Sequence, residues 1–344
     1  MIRKYIAASL VAAGLAMAPL AAGAQEFTFK LHQFLPLKSS VPADFLLPWI
    51  EKIEKESGGR IKIEHYPSMQ LGGKPPELIQ QVTDGAVDFV WTLPGYTPGR
   101  FPKTEAFELP FMVANGNAEG TSRAFQEYYE KHMSDQFPGL KIICVHTHGA
   151  GLLHTKEPVN KLEDIKGMKL RGPTRVITQM LETLGAVPIG MPVPAVPEAV
   201  SKGVIDGAVI PWEVTLPLKM AELVHNHTAM SGDRGLYSAT FVFAMNQASY
   251  DKLPDDLKKI IDDNSGVEAA ATAGRAMDKF DAIARKKAED AGNTIITLDE
   301  AETQRWKDAA APVVDKWIAD MKAEGIDGQA LVDDARALLE KNTM

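Results

Sequence analysis

The sequence predicts an α/β protein of two lobes, each built around a sheet, with one long helix that crosses both lobes. Three observations lead to this prediction. Strand and helix patterns alternate in the order β-α-β-α-β over residues 27–91 and again over residues 168–210. The third strand of each unit follows a similar local sequence. A helical pattern over residues 255–291 would extend roughly 55 Å, which is longer than one lobe is wide.

The first unit shows strand patterns at 27–32, 60–66 and 87–91 and helical patterns at 41–57 and 75–84. Residues 60–66 alternate between apolar and polar side chains, as expected for a half-buried strand. Apolar residues recur at helical spacing over 41–57, and glycines at 58 and 85 end the two helices. Alternating strands and helices are typical of parallel sheets that are covered on both faces.

The second unit repeats this order, with strands at 168–171, 187–189 and 208–210 and helices at 174–184 and 195–202. In both units a glycine that ends a helix is followed three residues later by an aspartate, at Gly85 and Asp88 and at Gly203 and Asp206. Chance similarity between two ordinary helix-to-strand turns is the alternative explanation. The matching order of five elements favours structural repetition.

The remaining segments connect and complete the lobes. Residues 140–147 and 237–246 are predicted strands, and the glycine-rich residues 149–151 between the units form a predicted flexible crossover. The long helix is expected to bend near a glycine, at Gly266 or Gly274. We therefore assign residues 25–148 plus about 237–276 to lobe I, and residues 149–236 plus about 277–344 to lobe II.

The N-terminal segment has the features of a signal peptide. A positively charged start precedes an apolar run over residues 5–22, which ends in the small residues Ala22-Gly23-Ala24. We expect cleavage after Ala24 and export, most simply to a Gram-negative periplasm. A membrane anchor is the alternative, but Gly14 and Pro19 interrupt the run, which is short for a membrane span. No later stretch is long and apolar enough to predict membrane insertion.

The composition argues against several function classes. A net charge of −8 and a pI near 5.6 make nucleic-acid binding improbable. The single cysteine, Cys144, leaves no partner for an intramolecular disulfide. The sequence has no G-x-S-x-G, H-E-x-x-H, P-loop or complete G-x-G-x-x-G motif. We therefore predict a binding protein that carries no cofactor, and not an enzyme.

Histidines raise the question of a metal site. His146, His148 and His154 are close in sequence, and three imidazoles could bind zinc. No aspartate or glutamate lies in that segment to orient them, so we predict no metal site and assign His148 and His154 to the polar lining of a cleft. His225 and His227 are predicted to be surface or turn residues.

Ligands of open parallel sheets bind beyond the carboxyl ends of the strands. If the two lobes face one another, the residues at these ends converge on one cleft. The candidate ligand-binding residues are His32, Phe34, Trp91, Tyr96 and His148 in the first lobe and Arg171 and Trp212 in the second.

Arg171 ends a predicted strand, and its planar guanidinium can bind a carboxylate through two hydrogen bonds. The alternative is a surface salt bridge, worth about 0–1 kcal/mol, and position alone does not decide between them. Trp212 ends another strand. It forms either the apolar wall of a pocket or part of the core between the lobes. Trp91 and Tyr96 occupy the corresponding place in the first lobe, and a core role is an alternative for Trp91.

Several segments resemble the extracytoplasmic solute receptors of TRAP transporters, the DctP-type binding proteins. The resemblance lies in K-G-M-K-L-R, L-G-A-V-P and K-G-V-I-D-G within residues 166–207, in residues 70–72, and in Asn246 with residues 250–254. It extends over nearly all of the chain after residue 24. It implies a two-lobed periplasmic-binding-protein (venus-flytrap) fold with a long bridging helix. It also implies capture of a small organic acid by Arg171 and delivery to integral-membrane TRAP subunits.

Two departures from the family bear on the ligand. Many members carry a second arginine in the crossover, where this chain has residues 149–154 without one, and residues 192–198 also differ from the common pattern. Together with the aromatic residues Trp212, Trp91, Tyr96 and Phe34, the missing arginine favours a monocarboxylate with an apolar or aromatic body. Alternatives are a C4-dicarboxylate-type receptor and a ligand-presenting subunit for a membrane sensor. An ABC-type receptor would look similar in solution, but the Arg171 motif and the bridging helix argue against it.

Overall fold

The computed structural model describes residues 25–343, and the predicted signal peptide at 1–24 lies outside this range. The strands are β1 Phe27–Gln33, β2 Ile61–Tyr66, β3 Phe89–Thr92, β4 Val113–Ala114, β5 Leu140–Thr147, β6 Leu152–Thr155, β7 Lys169–Gly172, β8 Val187–Gly190, β9 Gly207–Ile210, β10 Asn226–Ala229, β11 Arg234–Gly235, β12 Thr240–Asn246 and β13 Thr294–Thr297. The α-helices are α1 Leu47–Glu56, α2 Leu78–Thr83, α3 Ala118–His132, α4 Arg175–Thr183, α5 Val196–Ser201, α6 Trp212–Leu218, α7 Met220–Leu223, α8 Gln247–Asp251, α9 Asp255–Asp263, α10 Val267–Asp290, α11 Glu300–Ala323 and α12 Gly328–Thr343.

Two main sheets form the centres of the two lobes. The first lobe has the strand order β2-β1-β3-β12-β5, and the second has β13-β10-β6-β9-β7-β8. In the first, β1 lies parallel between β2 and β3, and in the second, β7 lies parallel between β8 and β9. The predicted repetition of one β-α-β-α-β unit is therefore confirmed.

The repeated sequence signature makes the same contact in both lobes. The Asp88 carboxylate accepts a hydrogen bond from the Lys30 backbone N–H at 2.8 Å, and the Asp206 carboxylate accepts one from the Lys169 N–H at 2.8 Å. Each aspartate thereby joins the beginning of a third strand to the central strand beside it.

The sheets are mixed, whereas the sequence predicted parallel sheets. Strand β12 runs antiparallel to β3 and β5, and β6 runs antiparallel to β9 and β10. Both β6 and β12 receive the chain as it arrives from the other lobe. They therefore enter their sheets from the edge at which the parallel strands end, so they run in the opposite direction.

The predicted long helix is two helices. Its first part, α9, ends at Asp263, and the 24-residue α10 begins after Gly266, whose φ of 81° breaks the helix. No break occurs at Gly274, which lies inside α10. Its missing side chain lets α10 approach α3, because a Cβ there would lie 2.6 Å from backbone atoms of residues 118 and 119. At about 36 Å, α10 still reaches both lobes. It packs on α3 of the first lobe and on α6 of the second.

The C-terminal helices also reach both lobes. Helix α11 contacts α4, and α12 packs against α3, although the sequence-based division assigns this segment to lobe II. The chain boundaries of the two lobes stay a prediction. Within residues 25–343, no helix combines the length and apolar character that a membrane span requires.

Candidate functional site

A cavity lies between the two lobes, and we call it the central cavity. The space inside it, including solvent at its open side, is about 350 Å³. Both sheets place their cleft-side loops around it. The side chains that line it are mostly apolar or aromatic, which is typical of small-molecule sites. Its lining includes Phe34, Leu93, Tyr96, His148, Arg171, Val193, Ile210, Pro211, Glu213, Tyr237 and Phe241.

Arg171 is the cation in this lining. It lies near the end of β7 and is 2% exposed. Its Nε donates to the Met191 carbonyl at 2.9 Å and its Nη1 to the Val209 carbonyl at 3.2 Å. The buried Nη2 has no hydrogen-bond partner among residues 25–343. Two backbone carbonyls therefore hold the guanidinium in place and leave one N–H-bearing nitrogen for a ligand.

The charge of Arg171 is costly to bury without a counterion. Burial lowers the pKa of its guanidinium, opposed by the neighbouring Tyr96 and Tyr237. An arginine nevertheless keeps its proton, because its usual pKa exceeds 12. Since a buried charge without an ionic partner is unfavourable, the site favours binding of an anion.

Two tyrosine hydroxyls accompany Arg171. The Tyr237 hydroxyl is buried and has no hydrogen-bond partner within the described chain, whereas the Tyr96 hydroxyl accepts from the Val193 N–H at 3.0 Å. Burial raises the pKa of both phenols, and the charge of Arg171 opposes that shift. Both hydroxyls are therefore neutral and able to donate a hydrogen bond. Tyr237 escaped the sequence analysis, which considered only strand ends of the repeated units.

An aromatic stack forms one side of the central cavity. Trp91 lies between Phe34 and Phe241, with ring centroids 5.0 Å apart on each side and nearly parallel planes. Trp91 is fully buried and donates from Nε1 to His146 Nε2 at 2.8 Å. Phe34 and Phe241 line the cavity, and Trp91 fills the space between their rings. This is the core role that the sequence analysis left open for Trp91.

The two predicted histidines differ in position. His148 lines the central cavity, and its Nε2 accepts from the Ala239 N–H at 3.0 Å. Burial, followed by the charge of Arg171, lowers the pKa of His148 to about 4, so its ring is neutral. His32 lies elsewhere, with Nδ1 2.7 Å from Gln81 Oε1, and does not line this cavity.

Trp212 does not line the central cavity. Its indole packs edge-to-face on His154 at 5.1 Å and lies 4.8 Å from His227, in a cluster beside α10. Trp212 is the first residue of α6, and the next residue, Glu213, faces the cavity instead. Consecutive residues of a helix point about 100° apart, so Trp212 and Glu213 lie on different faces of α6 and only one of them faces the cavity.

The prediction for two other histidines is corrected as well. His154 is buried beside His227, with their Nδ1 atoms 2.6 Å apart, and does not line the cavity. His227 lies in β10 and is fully buried, whereas the sequence predicted a surface or turn residue. In the part of the chain that the structure describes, no group of three or more His, Cys, Asp or Glu side chains could hold a metal ion.

Polar contacts join the lobes around the cavity. The Glu108 carboxyl accepts from the Thr174 hydroxyl at 2.6 Å and from the Thr240 hydroxyl at 2.8 Å. Nearby, Glu105 accepts from the guanidinium of Arg175 and, at 3.0 Å, from Trp317 Nε1. Thr174, Arg175 and Trp317 come from the second lobe. These bonds stabilise the arrangement in which the two lobes meet around the cavity.

We expect Glu108→Gln to change the pH dependence of stability. Burial raises the pKa of Glu108 from 4.5 to about 7, so the folded protein keeps a proton that the unfolded chain releases in this range. Glu108 therefore lowers the free energy of unfolding as the pH rises from about 4.5 to about 7. Glutamine does not titrate, yet it can still accept from Thr240 and donate to Thr174.

Urea unfolding of both proteins at pH 5 and pH 7 measures this effect. The buried histidines titrate in both proteins, so their contribution cancels in the comparison. Between these pH values, wild type should lose roughly 1–3 kcal/mol more stability than Glu108→Gln. Parallel pH profiles would show that Glu108 is ionised in the folded protein.

Comparison with known sequences gives a consistent result. The DctP family model, described as bacterial extracellular solute-binding protein, family 7, matches residues 35–320. The outer membrane transporter protein TsaT of Comamonas testosteroni is 26% identical, covering 99% of this chain and 98% of its own. The C4-dicarboxylate-binding periplasmic protein DctP of Rhodobacter capsulatus is 27% identical, covering 80% of this chain and 82% of its own.

Solved structures of higher identity share the fold. A TRAP solute-binding protein from an unidentified marine microbe, described as specific for aromatic acid ligands and crystallised with 3-hydroxybenzoate, is 50% identical with a TM-score of 0.91. The alignment covers 93% of this chain and 100% of that one. A TRAP solute-binding protein from Rhodoferax ferrireducens T118, with copurified benzoate, is 48% identical, covers 92% and 98% of the two chains, and has a TM-score of 0.89.

These proteins are binding receptors, which confirms the prediction of a binding protein and not an enzyme. The family model matches well over half of the chain, and the similar structures have the two-lobed fold that the sequence predicted. This chain therefore belongs to the DctP family, family 7 of the bacterial extracellular solute-binding proteins, and is a receptor of the TRAP type.

Proposed function

We propose that this protein captures an aromatic monocarboxylate in the periplasm and delivers it to the integral-membrane subunits of a TRAP transporter. The observation that carries the proposal is the buried Arg171, whose Nη2 has no partner within residues 25–343, in a cavity lined mainly by apolar and aromatic side chains. A carboxylate supplies the missing negative charge, and an aromatic body fills the apolar space.

The carboxylate is expected to bind Arg171 Nη2 and the Tyr237 hydroxyl. Both are buried donors without a partner in the described chain, and both belong to the lining of the central cavity. Hydrogen bonds between ionised groups are among the stronger ones, and exclusion of water strengthens them further. Phe34 and Phe241 offer ring faces on which an aromatic ligand can stack.

The charge of the cavity favours one carboxylate over two. Arg171 is the lone arginine or lysine in the cavity lining that the structure describes. A second carboxylate would be buried without a cation, which is costly. The proteins of 48–50% identity, which bind benzoate and 3-hydroxybenzoate, support the same ligand class. The C4-dicarboxylate-binding relative is less similar, at 27% identity.

Closure of the lobes links binding to transport. The ligand binds the closed form more tightly, because only there do Arg171 and the first-lobe tyrosines surround it, and so it shifts the equilibrium toward closure. A closed, loaded receptor then differs in shape from an empty one. We propose that the membrane subunits recognise this difference, and that the segment at 1–24 directs the chain to the periplasm.

Calorimetry with a matched set of compounds tests the ligand class. Benzoate should bind and raise the melting temperature, since a ligand at one hundred times its Kd stabilises by about 2.7 kcal/mol. Benzamide has the same shape without the charge and should bind at least about a hundredfold more weakly. Tight binding of succinate, with none of benzoate, would contradict the proposed ligand class.

A further inference from the structure

Glu213 is an unexpected group in the central cavity. It is the second residue of α6 and is 3% exposed, and it lines the cavity together with Arg171. It is the lone carboxyl group in that lining, as far as the structure describes it. Within residues 25–343, Arg171 donates to backbone carbonyls and Glu213 accepts from Ser40, and the two side chains make no hydrogen bond or ion pair with each other. A buried carboxyl group in a site for acids calls for a separate explanation.

The two carboxyl oxygens of Glu213 have different surroundings. Oε2 accepts a hydrogen bond from the hydroxyl of Ser40, which comes from the first lobe. Oε1 has no hydrogen-bond partner in the described residues. The backbone N–H of Glu213 donates to Asp281 Oδ1 of α10 at 2.7 Å. The group is therefore held at its backbone and at one oxygen, and the other oxygen has remaining capacity to accept.

The charged groups around Glu213 do not neutralise it. Burial raises its pKa to about 7, opposed by the Ser40 hydrogen bond. Asp281, the titratable group that faces it from α10, is itself buried, with a pKa well above the usual value because of burial and then the charge of Glu213. In its neutral and its ionised form, the Glu213 carboxyl keeps an oxygen that can accept a hydrogen bond.

We propose that Glu213 is a specificity-determining residue that accepts a hydrogen bond from a hydroxyl group on the bound acid, so that the preferred ligands are hydroxylated aromatic acids. This inference rests on the proposed function, because Arg171 must hold the carboxylate for the ring to present its hydroxyl to Glu213. A hydroxyl that donates to Oε1 adds a hydrogen bond that a ring without a hydroxyl cannot make.

The wild-type protein provides the first test. Calorimetry should show that 3-hydroxybenzoate or 4-hydroxybenzoate binds at least about tenfold more tightly than benzoate. The fluorobenzoate with fluorine at the same ring position is the matched control, because it has no proton to donate. This fluorobenzoate should not share the tighter binding of the hydroxybenzoate. Equal affinities for all these acids would overturn the inference, and so would a stronger preference for 3-(aminomethyl)benzoate, whose cationic group would indicate an ion pair.

A variant locates the effect at Glu213. In Glu213→Met, which removes both acceptor oxygens, the ratio of the benzoate and hydroxybenzoate Kd values should fall to within about twofold of one. If this variant does not fold, Glu213→Gln keeps one neutral acceptor, and the ratio should be intermediate. An unchanged ratio in the folded variant would contradict the role of Glu213. Failure of the proposed function is distinguishable, because wild type would then bind none of these acids.

Discussion

Replacing Arg171 with alanine is expected to weaken benzoate binding by about a hundredfold or more. Truncating one partner of a buried, hydrogen-bonded charge pair costs about 2–5 kcal/mol or more. Here the lost partner is the cation of the central cavity, whose Nη2 has no other partner within residues 25–343. Titration calorimetry on both proteins measures the change.

A lysine at the same position separates charge from geometry. Arg171→Lys keeps the positive charge but cannot donate to the Met191 and Val209 carbonyls while also reaching the ligand. We expect it to bind benzoate at least about tenfold more weakly than wild type. Thermal unfolding without ligand is the control for folding. If a folded Arg171→Ala protein binds benzoate with wild-type affinity, Arg171 does not bind the ligand.

Replacing Gly95 with valine is expected to prevent closure and to weaken binding by a similar factor. Gly95 follows β3 in the first lobe. A Cβ at this position would lie 2.4 Å from Cγ2 and 2.9 Å from Cβ of Thr174 in the second lobe. Contacts below 3.0 Å require one group to move. The third close contact, with Glu108 Oε1 at 3.3 Å, lies within the first lobe, but the two shortest contacts are between the lobes, so the closed form is destabilised more than the open form.

Gly190 in β8 offers a matched control. A Cβ there would meet nothing within 4 Å, so Gly190→Val should keep wild-type affinity. Small-angle scattering should show that benzoate compacts the wild type and Gly190→Val, and leaves Gly95→Val extended. Gly95→Ala adds only a Cβ and allows a rescue experiment. In this variant, the additional change Thr174→Ser removes Cγ2, the carbon nearest to the new Cβ, and should restore part of the affinity. If Gly95→Val binds benzoate with wild-type affinity and becomes compact, the lobes do not close with Gly95 against Thr174.

The repeated part of the fold was predictable because its patterns are local. Alternating apolar residues, glycine helix ends and the aspartates at 88 and 206 mark both β-α-β-α-β units, and the structure contains both. The short strands β10 and β13 were missed. Strand β10 has one β-branched residue in four, and it is a strand because it pairs with β6 and β13. All four residues of β13 are β-branched, a local signal that the sequence analysis did not use. The chain crossings between lobes, which decide the mixed direction of the sheets, have no local signature.

Part of the site was predictable from one rule about strand ends. That rule selected Phe34, Tyr96 and Arg171, which the structure brings to one cavity together with His148. It missed Tyr237 and Phe241, which lie at the beginning of the antiparallel β12. A strand that enters from the cleft presents its first residues to the ligand, and not its last. The direction of β12 would have been the signal needed to find them.

The crystal structure of the protein with bound benzoate tests the central claim most directly. We expect one carboxylate oxygen about 2.7–3.1 Å from Arg171 Nη2, with the Tyr237 hydroxyl also donating to the carboxylate and the ring beside Phe34 and Phe241. A benzoate whose carboxylate lies away from Arg171, with the guanidinium turned toward bulk solvent, would contradict this account.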